Sequence, residues 1–185
     1  MTLMPGRPAL AVLMLLAALF AGCTGASRPA TTMDLTATIS GAERRPEGGA
    51  FDVRTEDIEG QRRPVIGVPA GSRLTWRLTV PAHARLRLWL AVGGDCASAP
   101  VDFHVGISDG RVYEQLLVRE VAAAGPSLAW QPATVDLSQY GGAQWSLFYR
   151  PSGISWSLIF NTRPGRAASC APQPLWGAPA IETTR

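Results

Sequence analysis

Three runs between Arg73 and Ile107 are apolar at every second residue. In RLTWRLTV, Leu74, Trp76, Leu78 and Val80 share one side and Arg73, Thr75, Arg77 and Thr79 the other. RLRLWLAV places Leu86, Leu88 and Leu90 opposite Arg85 and Arg87, and VDFHVGI aligns Val101, Phe103, Val105 and Ile107. A period of two is the signature of a half-buried strand. Such strands expose an apolar face, which two stacked sheets can hide from each other.

The punctuation fits. PAHA separates the first two runs and GGDCASAP the next two; Asp109-Gly110 is a hairpin signal before the return strand RVYEQLLVREV. Further along, TVDL, AQWSLFYR, ISWSLIFN and LWGAPAIE read as short strands, with AAAGPSLAWQPA as a connecting arm. Upstream, LTATI and VIGV read as short strands and the piece around Glu43, Arg44, Arg45 and Pro46 as a loop. Eight or nine strands with turns about every ten residues, and no amphipathic helix after the leader, predict an antiparallel β-sandwich over residues 34–185, clearest from 73 to 182.

The N-terminus has a different character. Arg7 precedes an apolar run from Ala9 to Phe20, followed by Ala21, Gly22 and Cys23. The run is shorter than the roughly 20 residues a membrane-spanning helix needs, and reads as a signal peptide over residues 1–22. The Cys directly after Ala-Gly resembles the lipobox of bacterial lipoproteins, with Phe20 where Leu is usual. The resemblance implies that Cys23 is lipidated and becomes the first mature residue; the alternative is an ordinary signal peptide. Each buried methylene contributes about 0.8 kcal/mol, and more than one acyl chain makes attachment stable. Thr24, where Asp would hold a lipoprotein at the inner membrane, implies outer-membrane sorting in a two-membrane bacterium. Residues 23–33 are small and polar and read as a flexible tether. The expected location is the bacterial cell envelope, outside the cytoplasm.

Secretion places the remaining Cys96 and Cys170 in an oxidising compartment, where a disulfide is the simple reading and two free thiols the alternative. All 17 basic residues are Arg. Setting aside Arg7, 16 basic face 14 acidic side chains, a net charge of +2 with no basic run. That balance gives no reason to expect nucleic-acid binding.

The order of these segments resembles that of the galactose-binding-like jelly-roll domains of bacterial carbohydrate-active and cell-surface proteins. It rests on LTVPAHARLRLWLAV, VDFHVGISDG, the corner TVDLSQYGGAQWSLFYR and the closing Trp176, Gly177, Pro179 and Ile181, about 110 residues in all. The resemblance implies a jelly-roll sandwich with a binding function. Related domains often carry an Asn- and Asp-rich loop before the closing strand; here it is RPGRAASCAPQP, without Asn or carboxylate. No metal or cofactor is therefore expected.

In the corner, Asp136 and Ser138 suit bonds to nearby backbone. Tyr140 can pack on the sandwich edge and give its hydroxyl to a backbone carbonyl, while Gly141 and Gly142 permit positive φ. This reading is structural, not catalytic. The two histidines, His83 in a turn and His104 on a strand, sit in no recognised nucleophile setting, so no enzymatic activity is expected.

Of six Trp, Trp76, Trp145, Trp156 and Trp176 read as core. Trp89 shares the Arg85 and Arg87 side of its strand, and Trp130 lies in a loop. Trp89, Trp130, Arg73, Arg77, Arg85, Arg87, Arg111 and Tyr113 are the candidate ligand contacts. A face uniting Arg73, Arg77, Arg85, Arg87 and Trp89 would suit an acidic glycan or a phosphate-bearing surface; the plain alternative is a solvated sheet face. Two functions remain: a lipid-tethered module binding envelope or extracellular polysaccharide, and a structural lipoprotein contacting an envelope protein.

Overall fold

A computed structural model describes residues 30–94, 99–122, 129–141, 155–165 and 171–183. Eleven strands are described: β1 Ala30–Asp34, β2 Glu43–Arg45, β3 Asp52–Ile58, β4 Gln61–Gly67, β5 Arg73–Leu78, β6 Ala84–Gly93, β7 Val101–Ser108, β8 Tyr113–Val121, β9 Gln131–Asp136, β10 Trp156–Pro164 and β11 Gln173–Thr183. They form two antiparallel sheets. One runs β3-β4-β11-β6-β9 with β1 also paired to β11; the other runs β2-β5-β10-β7-β8. The protein is an antiparallel β-sandwich, as the alternation predicts. From β4 to β7 each successive strand changes sheet, the winding of a jelly roll.

The alternating runs supply the core. Leu74 and Trp76 of β5, Leu86, Leu88 and Leu90 of β6, and Phe103, Val105 and Ile107 of β7 are all buried. The sheets interlock through aromatic rings. Trp176 of β11 packs its indole 4.8 Å from Phe103, edge to face, and 4.5 Å from Phe160 of the facing sheet. Phe160 in turn meets Trp76 at 5.0 Å. Full burial of a large apolar side chain is worth about 1.5–3 kcal/mol. Trp76, Trp156 and Trp176 are core residues, as read from the sequence; Trp145 and the run AQWSLFYR lie outside the described residues.

The polar N-terminal part departs from expectation. LTATI is not a strand: Asp34 Oδ1 accepts the backbone N–H of Thr36 at 2.8 Å and also its hydroxyl, turning the chain into a single 3-10 turn at Ile39–Gly41. Glu43–Arg45 is a short strand on β5, not a loop. β3 was not foreseen; it forms a hairpin with β4 through Glu59 and Gly60, both at positive φ. Residues 30–33, read as the end of the tether, are paired to β11 as part of β1.

Candidate functional site

The corner comes first, because it shapes the sandwich edge. Asp136 Oδ1 accepts the backbone N–H of Ser138 at 2.9 Å, and Ser138–Tyr140 form a 3-10 turn. That bond, the Ser138 hydroxyl and the charge of Arg85 hold the Asp136 carboxyl below the usual range. The Tyr140 ring packs edge to face on Trp156 at 5.0 Å, and its hydroxyl accepts from Gln139 Nε2 at 2.6 Å. The expectation for Gly141 needs correction. Its φ is −102°, open to any residue; glycine is needed there because a Cβ would run into the Pro81 carbonyl.

The proposed Arg surface divides in two. Arg73 and Arg77 lie on β5, in the five-stranded sheet, while Arg85, Arg87 and Trp89 lie on β6, in the six-stranded one. All five point away from the core, so the two groups occupy opposite outer faces. The alternation was read correctly within each strand, but β5 and β6 are consecutive strands of different sheets.

On the outer face of the five-stranded sheet, cross-strand pairing builds ordered rows. One runs Arg45, Arg73, Asn161, His104, Val118; the next Glu43, Thr75, Ile159, Gly106, Gln115; the third Arg77, Ser157, Ser108, Tyr113. Adjacent strands are about 4.8 Å apart, so Arg77 and Tyr113 stand roughly 14 Å from each other across three intervals. The Tyr113 ring lies where a side chain at Gly106 would stand. Half of Tyr113 is still exposed (51%). Beside it, Gln115 Oε1 lies 3.4 Å from Nδ1 of the buried His104. Arg111 sits in the turn before β8, where Asp109 Oδ1 accepts the backbone N–H groups of Arg111 and Val112 at 2.9 Å each. An exposed aromatic plate flanked by amides, hydroxyls and guanidiniums is what recognition of a polyhydroxylated ligand requires.

The outer face of the six-stranded sheet is built differently. Ile58, Val65, Ala91 and Leu175 form a small apolar cluster there, with Trp130 packed against it. A Cβ at Gly177 would lie 2.8 Å from Trp130 Cζ3 and 3.2 Å from Trp89 Cβ, so glycine lets the indole settle on β11. Trp130 Nε1 donates to the Gln61 carbonyl at 3.1 Å, pinning the ring in place. Two guanidiniums reach Trp89: Arg63 Cζ lies 3.8 Å from its ring centroid and Arg87 Cζ 4.7 Å. Arg87 is held by Glu182, with Nη2 to Oε1 at 2.5 Å.

The structure thus brings Trp89, Trp130 and Arg87 together, and Arg73, Arg77 and Tyr113 onto one separate face. Arg63, Gln115, Asn161 and His104 were missed as site residues. The alternation Gln61, Arg63, Val65 was a usable signal for Arg63, obscured by Pro64 in the middle. Cys23, Cys96 and Cys170 lie outside the described residues.

No protein-family model matches the sequence, and no curated protein matches it either. Solved structures of the same fold do exist. The TmCBM61 module, determined with β-1,4-galactotriose, matches with a TM-score of 0.50 at 12% identity, covering 79% of this chain and 90% of that one. A cleaved adhesin domain of Lys-gingipain from Porphyromonas gingivalis matches at 0.50 and 14% identity, covering 79% and 92%. The CBM51-2 and INT domains of ZmpB from Clostridium perfringens, determined with GlcNAc, match at 0.50 and 13% identity, covering 76% of this chain but 29% of that one. At these identities the likeness is one of fold: the chain shares a two-sheet β-sandwich with carbohydrate-binding modules and an adhesin domain.

Proposed function

We propose that this protein is a non-catalytic glycan-binding module, held at the bacterial envelope by lipid on Cys23. The single observation that carries the binding reading is the placement of Tyr113 over Gly106, at the β7–β8 side of a polar sheet face that no described residue covers. Arg73, Arg77, Asn161, Ser157 and Gln115 stand within reach as hydrogen-bonding partners for sugar hydroxyls. The carbohydrate-bound state of two fold relatives supports the ligand class. The leader and the Ala-Gly-Cys sequence support the anchor.

Binding is tested on an array of plant, microbial and host glycans with the wild-type chain and Tyr113→Ala. Retention on a defined glycan, lost in the variant, is the expected result; no retention on any glycan overturns the reading. Radiolabelled palmitate should enter the wild-type protein in bacteria and not Cys23→Ser.

A second reading, contact with an envelope protein, is favoured by the exposed apolar residues Val112, Tyr113 and Val118 on and beside the edge strand β8. Cross-linking in intact cells that recovers one protein neighbour through β8, with glycan arrays blank, would support it.

A further inference from the structure

At Trp89, on the outer face of the six-stranded sheet, two guanidiniums meet and the carboxylate beside them pairs with only one. Arg63 and Arg87 both approach the Trp89 ring, and Arg63 Cζ is also 5.9 Å from the Trp130 centroid. The carboxylate facing them, Glu182, is nearly buried and bonded to Arg87 through both Nε, at 2.7 Å, and Nη2. Glu56, opposite Arg63 in the β3–β4 ladder, accepts instead from Arg54 Nε at 2.6 Å. Arg63 donates to the neutral amide of Gln61 at 2.8 Å, and no carboxylate among the described residues pairs with it. Its Nε is buried with no acceptor. Burial, and then the charge of Arg87, disfavour its protonated form.

A buried donor left without an acceptor is destabilising. An anion held by the outer N–H groups of the two guanidiniums would relieve the repulsion and let Arg63 turn its Nε toward an acceptor, beside the indoles of Trp89 and Trp130. Arg is suited to this because its fork of N–H groups grips an oxyanion while its plane stacks on an aromatic ring. We infer that Arg63, Arg87, Trp89 and Trp130 form a second binding site, on the opposite side of the sandwich from Tyr113, for an acidic sugar unit. The shared chemistry is an oxyanion on a pyranose ring, supplied by a uronate carboxylate or a sulfate ester.

The test uses the full-length chain at low ionic strength, where such pairs are least screened. Calorimetric titration compares trigalacturonate, a sulfated galactan trisaccharide and uncharged galactotriose. At least one anionic sugar should bind about tenfold or more tightly than the neutral one, a difference of about 1.4 kcal/mol. Whichever anion binds more tightly identifies the source of the charge. Arg63→Gln should reduce its affinity to the neutral level with an unchanged melting temperature. Tyr113→Ala should leave anion binding intact while removing any binding of galactotriose, which separates this site from the glycan face. Equal affinity for charged and neutral sugars overturns the proposal. So does an Arg63→Gln variant that binds as wild type, or loss of anion binding in Tyr113→Ala. Arg63→Gln carries the test because Trp89→Ala would disturb the packing around Gly177.

Discussion

The phenol ring of Tyr113 occupies the space a side chain at Gly106 would need, three strands from β2 at one side of the sheet and one from β8 at the other. Each residue sets the position of the other. A methyl group at Gly106 would lift the ring off the sheet, and without the ring Gly106 would be a notch in the surface. Gly106→Ala should therefore weaken glycan binding about tenfold, the equivalent of about 1.4 kcal/mol. Tyr113→Ala should do at least as much. Tyr113 is half exposed, so its removal should change unfolding free energy by less than about 0.5 kcal/mol. Glycan titration and urea unfolding of the two variants check both statements.

The Trp176 indole packs against Phe103 and Phe160 and so ties the two sheets together. Trp176→Ala would leave a cavity that β-strands, fixed by their ladders, cannot close. A loss of about 3–5 kcal/mol is expected, read from the midpoint of urea unfolding.

Gly141 is held against the Pro81 backbone. Gly141→Ala should cost about 1–3 kcal/mol through forced backbone shifts, although its φ suits alanine. A variant as stable as wild type would mean that the corner yields to the added methyl group.

The Asp136 carboxyl has a folded-state pKa depressed chiefly by the backbone N–H of Ser138. The sign follows from linkage: its contribution is present above the unfolded value of about 3.9 and fades as pH falls through the lower folded value. Asp136→Asn should flatten the fall of melting temperature on the acid side of about pH 4. Thermal melts of both proteins in steps from neutral to strongly acidic buffer measure this.

Glu182 is buried and bonded to Arg87, which is itself half exposed. Glu182→Gln would keep the shape but remove the charge that holds Arg87 beside Trp89. A destabilisation of about 1–2 kcal/mol is expected, below the range for a fully buried pair because Arg87 retains solvent. Urea unfolding gives the value.

The strands with one buried face were legible from residue order alone. Leu74, Trp76 and Leu78, or Val101, Phe103 and Val105, declare themselves because water lies on one side of each strand and the core on the other. β3 was hidden for the opposite reason. In DVRTEDI most side chains on both faces keep some contact with water, because the strand is an edge, and Ile58 alone is buried. The binding faces were legible only in halves. Alternation says that Arg77 and Arg87 both point outward, yet the crossing between β5 and β6 sends them to opposite faces of the molecule. Arg63 was obscured by Pro64, and the Tyr113–Gly106 fit depends on a register shift between β7 and β8 that no local pattern encodes.

The pairing of Ala30 with Thr183 brings the first described strand alongside the last. Tension arriving through the segment before Ala30 enters the domain along the axis of β1. Its rungs to β11 run perpendicular to that pull and would bear it together, as a lap joint does, instead of opening one after another like a zip. Such a pull would thus load the middle of the six-stranded sheet, where β11 is fastened on both sides, and not the outermost described strands β3 and β9.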